Sequence, residues 1–167
     1  MRKNLFILSV LLILNNCGEF EFAYKTQNNE FLTKNTTITH VNGDDANKIR
    51  VVLVDKFGSH DEFPVYKLTV NSLKTESAEV IKKDATASKF KTRYLISYNF
   101  YNMNKNCKVF NKEITTLSTY SVKSSGYSFG TDFSKDESIT NNIDKNINEF
   151  MFSLNALSSL SNCIAND

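Results

Sequence analysis

The chain has 167 residues, 41% of them hydrophobic, and a formal net charge of +2. That is enough chain for one domain with a modest core. Without Arg2 and Lys3 the balance is 18 basic against 18 acidic residues, which excludes nucleic-acid binding driven by bulk charge. Affinity for an anion would have to come from local patterning.

Arg2 and Lys3 precede an apolar run from Leu5 to Leu14, followed by Asn15-Asn16-Cys17-Gly18. A basic start and an apolar core of this length predict an export signal, too short to span a bilayer comfortably. The cysteine at the end of the core reads as a lipobox. Residues 1–16 are then a lipoprotein signal peptide, and Cys17 becomes an acylated N-terminus carrying diacylglyceryl and N-acyl groups. Asn16 stands where a lipobox usually has a small residue, so an ordinary signal that happens to contain a cysteine is the other reading. Residues 17–35 are polar with scattered aromatics and no period, which predicts a tether.

Thr36 to Val41 is β-branched and alternating, a strand closed by Asn42-Gly43. Asp44-Asp45 then opens a segment with apolar residues at Ala46, Ile49, Val52, Leu53 and Phe57. That spacing predicts a helix with Asp satisfying its first N–H groups, although Ile49 to Val54 is β-branched enough for a strand. Tyr66 to Asn71 alternates as a strand. A longer strand sends Phe90, Thr92, Tyr94, Ile96, Tyr98 and Phe100 to one face and Lys91, Arg93, Ser97 and Asn99 to the other. After a polar turn over 102–106, a further strand over Phe110 to Val122 completes a long hairpin with one wet face.

A loop from Ser124 to Phe133 leads to the clearest helix. Ser134 and Glu137 fit a capping box, and Ile139, Ile143, Ile147, Phe150, Leu154 and Leu157 form an apolar stripe ending near Ser161. The expected fold is α+β: two helices packed on one face of a small, mostly antiparallel four-stranded sheet, as a single domain over 36–162.

Few residues point to chemistry. His40 and His60 have no ligand-type spacing around them, and no phosphate loop or nucleophile arrangement is present, so neither a metal site, a cofactor nor an enzyme is expected. With Cys17 acylated, Cys107 and Cys163 remain an even pair in a compartment that permits disulfides. They are either free thiols or bonded. The last strand starts at about Cys107 and runs out, and the helix must run back, which brings Cys163 toward the strand's origin. Basic residues crowd 82–112, and acidic ones predominate over 132–149.

Several strings resemble the lipopolysaccharide-assembly lipoprotein family, LptE, in its alphaproteobacterial form. They are Cys17-Gly18-Glu19-Phe20, Tyr66-Lys67-Leu68-Thr69-Val70, Ala87-Ser88-Lys89, Ser97-Tyr98-Asn99-Phe100, Tyr120-Ser121, Ser125-Gly126-Tyr127-Ser128 and Asp136-Glu137-Ser138. The resemblance implies a lipid-anchored protein on the periplasmic face of the outer membrane. Its implied partners are the LptD β-barrel, which it plugs and helps to assemble, and lipopolysaccharide. Lys89, Lys91 and Arg93, beside Phe90, are the candidate lipopolysaccharide-binding residues, since cations next to aromatics suit phosphates next to acyl chains. The same residues also read as a solvated strand face or as the surface that meets the barrel wall. A structural envelope lipoprotein and a periplasmic small-ligand binding module are the alternative functions.

Overall fold

The computed structural model describes residues 28–58, 62–81, 83, 87–122, 128–157, 160 and 162–164. The expected signal peptide, Cys17, the tether as far as residue 27, His60 and residues 124–127 of the loop lie outside the described residues. A short helix, α1 (Asn28–Lys34), falls inside the stretch expected as tether. Its Leu32 is buried in the core, so the packed fold reaches upstream of Thr36. One buried apolar residue in so short a helix leaves no period to read.

Strand β1 (Thr36–Gly43) pairs in parallel with β2 (Tyr66–Ile81), and helix α2 (Ala46–Phe57) makes the crossover between them. The end of β1 is set by Gly43, at φ 93°, where an added Cβ would lie 2.0 Å from the Ser72 carbonyl oxygen. Only glycine permits both that dihedral and that approach. The helical reading of α2 holds, with Ile49, Leu53 and Phe57 buried at three- and four-residue spacing. The capping expectation does not. Asp45 adopts a left-handed conformation, φ 52°, and makes no side-chain cap bond. Its carboxylate accepts instead from Tyr94 Oη and Lys74 Nζ, while Asp44 Oδ2 accepts from the Lys74 backbone N–H at 2.7 Å. A cation and a phenol on the neighbouring strands win over the helix N-terminus.

β2, β3 (Ala87–Asn102) and β4 (Cys107–Ser121) form an antiparallel meander, giving the sheet order β1-β2-β3-β4. β2 and β3 are 16 residues each, about 50 Å of strand. β1 pairs with β2 only as far as Ser72, so the outer half of β2 is an edge. Its register against β3 slips at Glu79, which is left without a partner in a bulge. β2 thus runs ten residues beyond the Asn71 expected from alternation. Its outer half is exposed on both faces, so no burial pattern marked it.

The last helix, α3 (Ser128–Asn155), begins six residues before Ser134 and ends six before Ser161. Ser134 is therefore inside the helix and not its cap. From its third turn onward the helix is tied to the sheet and to α2: Lys135 to Glu76 at 3.2 Å, Lys48 to Asp136, and Ser138 Oγ to Ser118 Oγ at 2.9 Å. Past the helix end, Leu160 is buried and the Ile164 N–H donates to the Lys108 carbonyl at 2.7 Å.

α2 and α3 lie on one face of the mixed sheet, as an α+β fold, and share one core. Ile139, Ile143, Ile147, Phe150 and Leu154 are all buried there. Phe150 stacks on Tyr98 at 4.0 Å between ring centroids and lies 6.5 Å from Phe57. A second stripe, Ser138, Asn142 and Asn146, faces β3 and β4. The Asn142 amide donates to the Thr92 carbonyl at 3.3 Å and to Ser118 Oγ at 3.1 Å, while its buried Oδ1 has no partner among the described residues; Asn146 is fully bonded. Asn146 accepts from Tyr98 Oη at 2.8 Å and donates to the Ile114 carbonyl at 3.0 Å and Thr116 Oγ1 at 2.9 Å. Satisfying these groups is what makes the burial of a full amide tolerable.

Candidate functional site

The face of the sheet away from the helices carries the candidate site. Strand alternation sends Tyr94, Ile96, Tyr98 and Phe100 into the core, each 0% exposed, and so sends the odd-numbered residues of β3 outward. Lys89, Lys91 and Arg93 therefore occupy one row. Register fixes their neighbours: Lys91 lies between Ser77 and Thr119, Arg93 between Thr75 and Leu117, and Leu95 between Leu73 and Thr115.

The structure brings two of the three basic residues together and sets the third apart. Lys91 and Arg93 line a groove of about 410 Å³ with Thr75, Ser77, Thr115 and Leu117. Among the described residues no acid pairs with either cation. Lys89 is bound to Glu79 at 2.9 Å, so its charge is largely answered within the protein. Phe90 is on the other face, stacked on Tyr120 at 5.5 Å, and does not line the groove. The apolar part of the site comes instead from Leu117, 48% exposed, with Leu73, 55% exposed, one row further along.

Two free cations, three hydroxyls and adjoining leucines can hold a phosphate-bearing head with an apolar chain beside it. Thr75, Ser77, Thr115 and Leu117 escaped the sequence reading. The first two lie beyond the expected end of β2, where polar residues alternate with polar ones and leave no period to read. Leu117 faces away from the buried Ile114 and Tyr120.

A second groove, about 650 Å³, runs between β4 and α3 and includes Lys112, Ile114, Asp144, Lys145, Glu149 and Phe152. At the near end of the sheet, Cys107 and Cys163 form a disulfide with Cα atoms 5.7 Å apart.

The part-buried polar cluster next to α2 shifts the ionisation of a carboxyl and a phenol in opposite directions. Partial burial raises the Asp45 carboxyl, but bonds from Lys74 and Tyr94 outweigh it and hold the group below its usual 3.8. Burial, reinforced by Asp45, pushes the Tyr94 hydroxyl far above the ordinary phenol range. Both shifts keep Asp45 ionised and Tyr94 protonated as donor, a structural arrangement facing the core rather than the open groove. Among the described residues no cluster of three metal-ligating side chains occurs, and no described helix is long and apolar enough to cross a membrane.

No family model matches the chain, and no curated protein matches it. Solved structures do. A provisionally assigned lipoprotein from Caulobacter crescentus superposes with a TM-score of 0.58 at 14% identity, over 77% of this chain and 93% of that one. An uncharacterised lipoprotein B from Nitrosomonas europaea gives 0.56 at 8% identity, over 72% and 81%. The rare lipoprotein B from Shewanella oneidensis gives 0.53 at 7% identity, over 71% and 92%. At these identities the likeness is one of fold.

Proposed function

We propose that the chain is a lipid-anchored envelope protein of the lipopolysaccharide transport machinery, working by binding and assembly and not by catalysis. Cys17 is the acylated residue in this reading, and the protein sits at the periplasmic face of the outer membrane. There it plugs the LptD barrel, assists its assembly and meets lipopolysaccharide on the open sheet face. The fold shared with lipoproteins from three bacteria supports an envelope lipoprotein. The resemblance of the family strings supports the finer role.

The observation that carries the ligand assignment is the unpaired Lys91–Arg93 row beside Leu117 in a groove of the open face. Neither the cations nor the leucines alone would select an amphiphile with phosphates. Placed side by side, the two kinds of group match its two halves. The whole open face is also polar enough, through Thr69, Asn71, Ser97 and Asn99, to suit the wet interior of a large barrel.

The test is a membrane pull-down with tagged full-length chain followed by mass spectrometry. A co-purified outer-membrane β-barrel is the expected result, and the tagged chain itself should leave the membrane fraction when Cys17→Ser is used. A chain recovered alone from detergent, with no barrel, would overturn the assembly role. The groove between β4 and α3 favours a small-ligand binding module as the second reading; a small molecule retained through purification would point there.

A further inference from the structure

The geometry points to Cys163 as the entry thiol for an oxidant of the disulfide class, with Cys107 as the resolving thiol, so that the tail is fastened to β4 in a fixed chemical order. The two sulfurs stand in different surroundings. Cys107 begins β4, is half-buried and packs against the hydrophobic core. Cys163 lies beyond α3 and is exposed even in the bonded form. Thiol–disulfide exchange requires an in-line approach of one sulfur to another, so access decides which thiol meets an external partner first.

The sequence of bonds follows. The Cys163 thiolate attacks one sulfur of the oxidant's disulfide, forming a mixed disulfide and releasing the oxidant's other sulfur as a thiolate. The Cys107 thiolate then attacks Cys163 Sγ, which forms the internal bond and expels the oxidant's remaining sulfur. The protein loses two protons and two electrons, and the oxidant's disulfide becomes a dithiol.

Two further contacts indicate what the bond secures. The Ile164 N–H donates to the Lys108 carbonyl at 2.7 Å, adding a strand-like bond beside β4 next to the disulfide. Leu160 is buried in the same core as Val109 and Leu154. Fastening Cys163 to Cys107 therefore holds an apolar plug at the near end of the sandwich and occupies a β4 backbone acceptor. In a reducing compartment the tail is held by those contacts alone, and it locks only where disulfides form.

The experiment uses the full-length chain with Cys17→Ser in every variant, so that two thiols remain, reduced, desalted and pulsed with oxidised glutathione, with acid quenching and intact-mass readout. Cys107→Ser should accumulate one glutathione on Cys163. Folded Cys163→Ser should acquire glutathione on Cys107 roughly tenfold or more slowly, and denaturant should bring the two rates together. Equal rates in the folded state would overturn the order. Because either variant can misfold, the chain with Cys17→Ser alone is also quenched early and peptide-mapped. Mixed disulfide mainly on Cys163 supports the proposal, mainly on Cys107 refutes it, and two persistent free thiols after full oxidation remove its basis.

Discussion

β3 shows two surfaces built from one strand. Its even-numbered side chains from Tyr94 to Phe100 are wholly buried under the helices, while the odd-numbered ones from Lys89 to Asn99 face outward. The inner row is constrained by volume: Tyr98 is sandwiched against Phe150, its hydroxyl held by Asn146. The outer row is constrained by little except the sheet's register, since Lys91 and Arg93 have no acid bound to them among the described residues. A single backbone thus separates the residues that specify the fold from those free to recognise something else. Stability and recognition can then be altered independently.

The largest effect belongs to the inner side. Phe150→Ala should cost about 3–5 kcal/mol, seen as a lower urea midpoint with unchanged slope. A loss within about 0.5 kcal/mol, the range of surface sites, would show that the α3 stripe is not core. Next, Asn146→Ala should cost about 1–3 kcal/mol, because Tyr98, Ile114 and Thr116 would each lose a buried partner. A neutral result would mean the polar stripe is not needed for the contact between α3 and β4.

A pH series probes the inner cluster more gently. The folded-state pKa of Asp45 lies below its unfolded value of 3.8, so its stabilising contribution is fully present above that value. It is lost as pH falls through the lower folded value. Asp45→Asn should therefore flatten the decline of the urea midpoint below pH 3.8 relative to wild type. An identical acid-side slope would show that the bonds to Lys74 and Tyr94 do not bias its ionisation. The smallest effect on stability is expected outside: Lys91→Gln with Arg93→Gln should shift it by no more than about 0.5 kcal/mol. The same pair should weaken lipopolysaccharide binding and flatten its salt dependence while barrel association persists. A destabilised double variant would erase the distinction between the two faces, and unchanged binding across the salt series would remove the groove as the ligand site.

The parts of the molecule that were legible in advance are those where burial imprints a period. β3 alternates cleanly, and α3 carries apolar residues at three- and four-residue steps, so the faces of both were readable. α1 was not, because Leu32 is a lone buried residue. The outer half of β2 was not, because neither of its faces is buried. Ser134 and Asp45 each have the local chemistry of a cap, but the helix extends six residues upstream of Ser134, and partners on neighbouring strands take the Asp45 side chain away. Asn142 and Asn146 interrupt no apolar pattern, so nothing in their spacing announced that they would be among the least exposed residues. For the groove, the basic row was legible, but its walls required the register of three strands. That register depends on the whole sheet and not on any one segment.

The slip in β2 at Glu79 has a consequence for crowding rather than for folding. Beyond Ser72, β2 has no strand on its outer side among the described residues, and such a row of free amides and carbonyls is a template on which another copy can grow. At Glu79 the repeat is broken, and the unpaired residue carries a charge bound to Lys89. An incoming strand would lose register after a few residues and would have to accommodate a carboxylate at the mismatch. The register shifts again between Val80 and Ile81, so these exposed apolar residues end the edge without forming an unbroken segment of the kind from which cross-β assemblies are built. The irregularity makes this edge a poor template for a second copy.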